Sequence, residues 1–341
     1  MTLWYSSPSA RGWDAPPVDD AAQRFHRTLP GYAPTPLVDL PDVAEALGLG
    51  RVLVKDESSR LGLPAFKILG ASWACHQVHR REPDATLVTA TDGNHGRAVA
   101  RTAAGLGVAS VVFVPDVMLP ETAALIEAEG AEVLRVESGY DAAVRQAADY
   151  VATRPGHSLV QDTAWPGYDE VPAWIIEGYQ TLLREVDDQL GARPDLVVVP
   201  VGVGSLAEAV VRHYRQADTA HPRVLSVEPD TAACAVNSLR EQRPVSVDTA
   251  ATVMAGLNCG TVSDTAWPVL HAGCDHAVDV SDADALQAVA ELARLGVSSG
   301  PCGAATLAGL RLAVADPQRR ADLDLPEDAV VVLLSTEGNH R

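Results

Sequence analysis

Short apolar runs rich in valine and leucine recur along the chain from residue 51 onward, separated by longer stretches in which apolar positions return every three or four residues. The runs at 52–55, 86–89, 110–114, 132–136, 158–160, 196–200, 224–228 and 330–334 predict strands. The stretches at 97–106, 121–129, 141–153, 173–189, 205–215 and 284–295 predict amphipathic helices. Most of the strand runs are continuously apolar rather than alternating, the pattern of strands covered on both faces. Such strands interleaved with helices predict an α/β protein built on parallel sheets with helices on both faces. No low-complexity linker divides the chain, so two domains have to be interleaved. The Pro- and Gly-containing segments near 61–64 and 166–172 predict a large domain from 1–63 and 170–341 and a smaller one from 64–169.

The 341 residues carry 45 acidic against 26 basic side chains, a formal net charge of −19. So acidic a surface repels phosphate backbones and anionic membranes, and no basic run offsets it, which excludes nucleic acid as an expected partner. No apolar stretch approaches the length of a bilayer-spanning helix, and the first twenty residues lack the basic and apolar regions of a secretory signal. The cytoplasm is the expected compartment, with no membrane partner. Five cysteines form no Cys-x-x-Cys pair, so no metal site is expected; buried thiols are the simple reading, with a Cys234–Cys259 bridge left open. Only two of the 26 basic residues are lysines, Lys55 and Lys67.

That scarcity draws attention to Lys67, which stands in Pro64-Ala65-Phe66-Lys67-Ile68-Leu69-Gly70 among apolar and small residues. Burial there would lower its pKa and free a neutral amine for Schiff-base chemistry, which arginine cannot perform. A second segment, Thr89-Ala90-Thr91-Asp92-Gly93-Asn94-His95-Gly96, leads from a strand into a helix. It predicts N–H groups open to a carboxylate and glycines that let a ligand approach closely; a plain N-cap is the alternative. A third, ending in Gly202-Val203-Gly204-Ser205, is a strand, a glycine turn and a helix start, which suits a phosphate. It keeps only the relaxed form of the dinucleotide fingerprint and no P-loop lysine, so a phosphate other than that of NAD is expected. The last is the run at 330–334, which empties into Ser335-Thr336-Glu337-Gly338 at the strand end where α/β sheets place ligands.

In this order, and together with Thr35-Pro36-Leu37-Val38 and Lys55-Asp56-Glu57-Ser58, these segments resemble the fold-type II pyridoxal-phosphate enzymes, the tryptophan synthase β and threonine dehydratase group. Within that group the chain is most similar to the diaminopropionate ammonia-lyases, on the Lys67 motif, Thr91-Asp92-Gly93-Asn94-His95-Gly96-Arg97, Gln161-Asp162-Thr163-Ala164-Trp165 and Met254-Ala255-Gly256-Leu257-Asn258-Cys259-Gly260. The resemblance implies pyridoxal phosphate as cofactor, a small amino acid as substrate, a site in the cleft between the two domains and a homodimer. Lys67 would carry the cofactor as a Schiff base, and Asn94 would hydrogen-bond its 3′-oxygen. Gly202, Val203, Gly204 and Ser205 would give N–H groups to its phosphate. Ser335, with Thr336 as the alternate, would meet the pyridine nitrogen. Asp92 and Asp162 would take the α-proton from opposite faces of the substrate.

The implied reaction is α,β-elimination of 2,3-diaminopropionate to pyruvate and ammonia. Its second ammonium suits a carboxylate such as Asp92, whereas the β-hydroxyl of serine carries no charge to pair. Serine or threonine dehydration, or β-replacement, is the alternative within the same fold. His95 reads as a packing residue, and Lys55 has no chemical role.

Overall fold

The computed structural model describes residues 2–91, 93–137, 139–217 and 221–339. Among them run strands β1 (Trp4–Ser6), β2 (Leu37–Asp39), β3 (Arg51–Asp56), β4 (Thr86–Ala90), β5 (Ser110–Pro115), β6 (Glu132–Val136), β7 (His157–Leu159), β8 (Leu196–Pro200), β9 (Arg223–Pro229), β10 (His276–Val280) and β11 (Val330–Ser335). Four form a wholly parallel sheet in the order β6-β5-β4-β7, and seven form a second in the order β1-β10-β9-β8-β11-β3-β2. The larger sheet is parallel through its centre, but β1 and β2 close its two edges in antiparallel pairing.

All eight strands expected from apolar runs are present. The two edge strands are three residues long and half-buried, so no continuous run marks them. β10 is buried throughout, yet His276 and Asp279 break its apolar pattern. The expected α/β architecture on parallel sheets is present; the larger sheet adds two short antiparallel edge strands, which blunt its open edges.

The helix Lys67–Arg81 crosses the long helix Glu170–Leu190 with the two backbones in contact. A Cβ on Gly178 would sit 2.5 Å from the Leu69 carbonyl oxygen and 2.7 Å from Gly70 Cα, and one on Gly70 would meet the Tyr179 ring at 2.6 Å. Only glycine permits this crossing, and the crossing sets where the first residue of the helix, Lys67, stands. Gly178→Ala is expected to cost about 1–3 kcal/mol by overpacking, read as a lower urea midpoint at unchanged m-value.

A buried ionic cluster fixes the other end of the same framework. Lys55 on β3 donates to the Thr35 carbonyl (2.8 Å), to Glu185 (2.7 Å) and to Gln189 (2.9 Å). Arg60 donates to Glu57 at 2.6 Å and, with both terminal nitrogens, to Glu185 at 2.7 Å. The lysine with no assigned chemistry is thus a structural residue, joining β3, the 33–35 segment and the helix Glu170–Leu190. Each cysteine carries a thiol, and Cys75, Cys234, Cys274 and Cys302 are buried. No helix among the described residues is long and apolar enough to cross a membrane.

Candidate active site

The segments that leave the carboxyl ends of β4, β7, β8 and β11 converge on one cavity of about 340 Å³, lined among others by Lys67, Thr91, Asn94, His95, Asp162, Gly202 to Leu206, Cys259, Cys302, Thr336 and Glu337. The chain reaches Lys67 through a tight loop, with Leu61 and Gly62 both at positive φ (50° and 75°). Phe66 then donates its N–H to the Thr336 carbonyl (3.1 Å) and stacks obliquely on Tyr179. This pins the helix start to the end of β11.

The Lys67 amine lies 2.6 Å from Asp162 Oδ2, over the rings of Phe66 (5.3 Å) and Tyr179 (5.9 Å). Burial alone would lower the amine pKa, as its apolar neighbours suggested. The adjacent Asp162 carboxylate outweighs that effect and holds it above the ordinary lysine value. Burial alone would likewise raise the Asp162 carboxyl, but Lys67 holds it well below the usual carboxylate range. The expectation of a depressed lysine pKa is therefore corrected: in the protein's own side chains Lys67 and Asp162 form an ion pair.

Asp162 is held on all sides. Its carboxylate accepts from Gln161 Nε2 (3.2 Å), and its carbonyl accepts from Ser205 Oγ (2.7 Å). Gln161, wholly buried, in turn accepts from the Ala90 N–H (2.9 Å) and Thr89 (3.1 Å), tying the ends of β4 and β7 together. A turn cap, the plain reading of Asp162, does not describe this residue.

On the loop after β4, Thr91 Oγ1 accepts from the N–H groups of Gly93 (2.9 Å) and Gly96 (3.0 Å), and so caps the helix Asn94–Leu106. Gly93 has φ +150°, which favours glycine. The close approach at Gly96 is to the Thr91 and Val112 side chains, so this glycine serves packing rather than a ligand. Asn94 donates from Nδ2 to Glu337 Oε2 at 2.8 Å. Asp92 lies outside the described residues.

Gly202, Val203, Gly204 and Ser205 lead into the helix Ser205–Tyr214, and among the described residues their N–H groups donate to no protein acceptor. Gly204 has φ +101°, and a Cβ on Gly202 would come within 3.1 Å of the Gly256 carbonyl and 3.2 Å of Cys259 Sγ. The turn is a cradle of free amides at a helix N-terminus, a seat for a dianion.

At the end of β11, Ser335 donates its hydroxyl to Ser299 Oγ (2.8 Å), turned towards the helix Pro301–Ala315. Thr336 and Glu337 line the cavity instead. Glu337 went unassigned in the sequence; its only signal was an acidic side chain just beyond a buried strand. A lysine amine, a row of amides suited to a phosphate, an asparagine and a hydroxyl around one cavity are the donor set that pyridoxal phosphate requires.

Comparison with known proteins agrees. The chain belongs to the pyridoxal-phosphate dependent enzyme family, whose model matches residues 28–337. Among its relatives is the diaminopropionate ammonia-lyase of Escherichia coli K12, 36% identical over 93% of this chain and 87% of that protein. The L-threonine dehydratase of Mycobacterium leprae is 30% identical over 98% of this chain and 75% of its own length. The crystal structure of the Escherichia coli diaminopropionate ammonia-lyase in complex with an aminoacrylate-PLP azomethine reaction intermediate superposes with a TM-score of 0.90 at 33% identity, covering 99% of this chain and 94% of that one.

Proposed function

We propose that this protein catalyses the α,β-elimination of 2,3-diaminopropionate, releasing pyruvate and ammonia. The observation that carries the reading is the Lys67–Asp162 pair, 2.6 Å apart, in one cavity with the free amides of 202–205, in a chain similar to diaminopropionate ammonia-lyases over 93% of its length. When bound, pyridoxal phosphate supplies the electron sink that makes a substrate α-proton acidic.

The protein's own groups divide the remaining work. Lys67 holds the cofactor, and the amides of Gly202, Val203, Gly204 and Ser205 hold its phosphate. Asn94, oriented by Glu337, would donate to the cofactor's 3′-oxygen. Of the two hydroxyls implied for the pyridine nitrogen, Thr336 is the one that lines the cavity and Ser335 stands behind it. Ser205 Oγ joins the phosphate cradle to the backbone of Asp162, so the anchor and the base are held at a fixed separation. Asp162 takes the α-proton at Oδ2 from one face, and Asp92 takes it from the other and receives the cationic β-group. The β-amine leaves as ammonia, and hydrolysis of the released enamine gives pyruvate and a second ammonia.

The domain division at 1–63 with 170–341 against 64–169 is part of this proposal, supported by the partition of the strands, since β4 to β7 fall inside the middle segment and the other seven outside it. So are a homodimer and a cytoplasmic setting. Asp92→Ala tests the assignment of the β-ammonium. For the enantiomer whose α-proton Asp162 takes, it is expected to reduce kcat/KM for diaminopropionate by about 10²-fold or more while affecting serine of the same configuration far less. Equal losses on both substrates would refute recognition of the cation by Asp92.

A further inference from the structure

The imidazole of His95 is fixed at one nitrogen and unused at the other. Nε2 lies 2.9 Å from the carbonyl oxygen of Val160, which only accepts, so Nε2 carries the ring hydrogen. Nδ1 is then a lone pair; it is buried without a hydrogen-bond partner and lies 3.9 Å from Asp162 Oδ2. The residue is 4% exposed and lines the cavity. An unsatisfied buried nitrogen costs stability that an apolar residue in the same place would not.

The titratable groups facing the ring are Asp162, which follows β7, and Lys67, at the start of its helix. Asp92, on the same loop, lies outside the described residues. Burial lowers the imidazole pKa, and the attraction of Asp162 only partly offsets it. His95 is therefore neutral near pH 7 and able to accept a proton. Its distance from Asp162 is about 1 Å beyond a transfer contact, a gap of the kind that tightens when substrate fills a site.

We propose that His95 acts through Asp162, receiving at Nδ1 the proton that Asp162 takes from the substrate α-carbon, so that the carboxylate is recharged within the same turnover. This rests on the elimination reading above. The α-carbon–hydrogen bond breaks and its electron pair becomes the carbon–carbon double bond, while the pair of the β-carbon–nitrogen bond departs with ammonia. The proton forms O–H on Asp162, then N–H on Nδ1, leaving an imidazolium beside a carboxylate. It returns through Asp162 to the product or to water. His95 is a positioning residue in this scheme, since it touches the reacting carbon only by way of Asp162.

His95→Gln keeps an N–H donor for Val160 and removes the titrating nitrogen. The test compares kcat for D- and L-diaminopropionate, each assayed separately across pH 5–9, in the holoenzymes of wild type, His95→Gln, Asp162→Asn and the double variant. The enantiomer slowed by Asp162→Asn is expected to slow by about 10²-fold in His95→Gln, with the other enantiomer within about twofold. For the sensitive enantiomer, wild-type kcat is expected to fall on the acid side of the ordinary imidazole range, where the buried His95 protonates, and that acidic limb disappears in His95→Gln. The double variant is expected to be no slower than Asp162→Asn alone.

Equal slowing of both enantiomers, an unchanged acidic limb, or additive losses in the double variant would overturn the proposal. If His95→Gln does not accumulate as folded protein, His95→Asn carries the same comparison. A wild type that releases no pyruvate from either enantiomer would instead overturn the elimination reading, which separates the two failures.

Discussion

Lys67→Ala is expected to abolish the visible absorption of the cofactor-loaded protein and to reduce pyruvate release by at least about 10⁴-fold, more than loss of a general base alone explains. Lys67 is the single amine lining the cavity among the described residues, held by Asp162 on one side and the Phe66 and Tyr179 rings on the other. Lys67→Arg is expected to fail as completely. A guanidinium preserves the ion pair with Asp162, but it stays protonated and forms no Schiff base. Lys55 supplies the internal contrast. It is wholly buried in the cluster with Glu185, so Lys55→Met is expected to change stability while the folded fraction keeps its visible band. Absorption spectra of the purified variants with added pyridoxal phosphate check both halves. A Lys67→Ala protein that kept the band would place the attachment elsewhere.

Arg60→Ala is expected to destabilise the fold by about 3–5 kcal/mol, because it leaves the buried Glu57 carboxylate without a cation and Glu185 with Lys55 alone. Glu57 and Glu185 are almost fully inaccessible and both depend on this guanidinium. Burial alone would raise the Glu185 carboxyl; Arg60, together with Lys55, holds it below its ordinary value. A carboxyl with a depressed folded-state pKa contributes stability that is fully present above its unfolded pKa, about 4.3, and is lost as pH falls through the folded value. The wild type is therefore expected to lose stability as the pH drops below about 4. Urea midpoints measured from pH 7 down to pH 3 check this, and Arg60→Ala should show a shallower acid dependence because the shift has lost its main source.

The strands legible in the sequence were those whose runs are mostly valine and leucine, from the run at 52–55 to that at 330–334. The central ones, such as β5 and β8, are covered on both faces, and burial on both faces writes itself into composition. β1 and β2 left no such trace because each is three residues long with no fully buried position. The helix Pro301–Ala315 was missed for the opposite reason. It is buried nearly all round, so no polar stripe gives it a period.

At the site, the residues legible in advance were those whose chemistry is rare or whose backbone is special. A lone lysine in an apolar motif and a glycine turn before a helix both qualify. What the sequence did not reveal is pairing across distance. Asp162 is 95 positions from the lysine it neutralises, and Glu337 is 243 positions from the asparagine it orients. The sign of the Lys67 pKa shift depends on the first of those contacts, and for that reason the local reading had it reversed. His95 looked like packing, and only its neighbours reveal a nitrogen without a partner.

The elimination itself is tested most directly by measuring pyruvate and ammonia released together from 2,3-diaminopropionate by the holoenzyme, with serine (pyruvate) and threonine (2-oxobutyrate) as parallel substrates. Elimination of diaminopropionate followed by hydrolysis gives two molecules of ammonia for each pyruvate, and kcat/KM is expected to exceed that for serine by about tenfold or more, the value of a single well-placed charge contact. No pyruvate from diaminopropionate, or turnover of serine or threonine at equal or greater efficiency, would contradict the assignment and leave a dehydratase in its place.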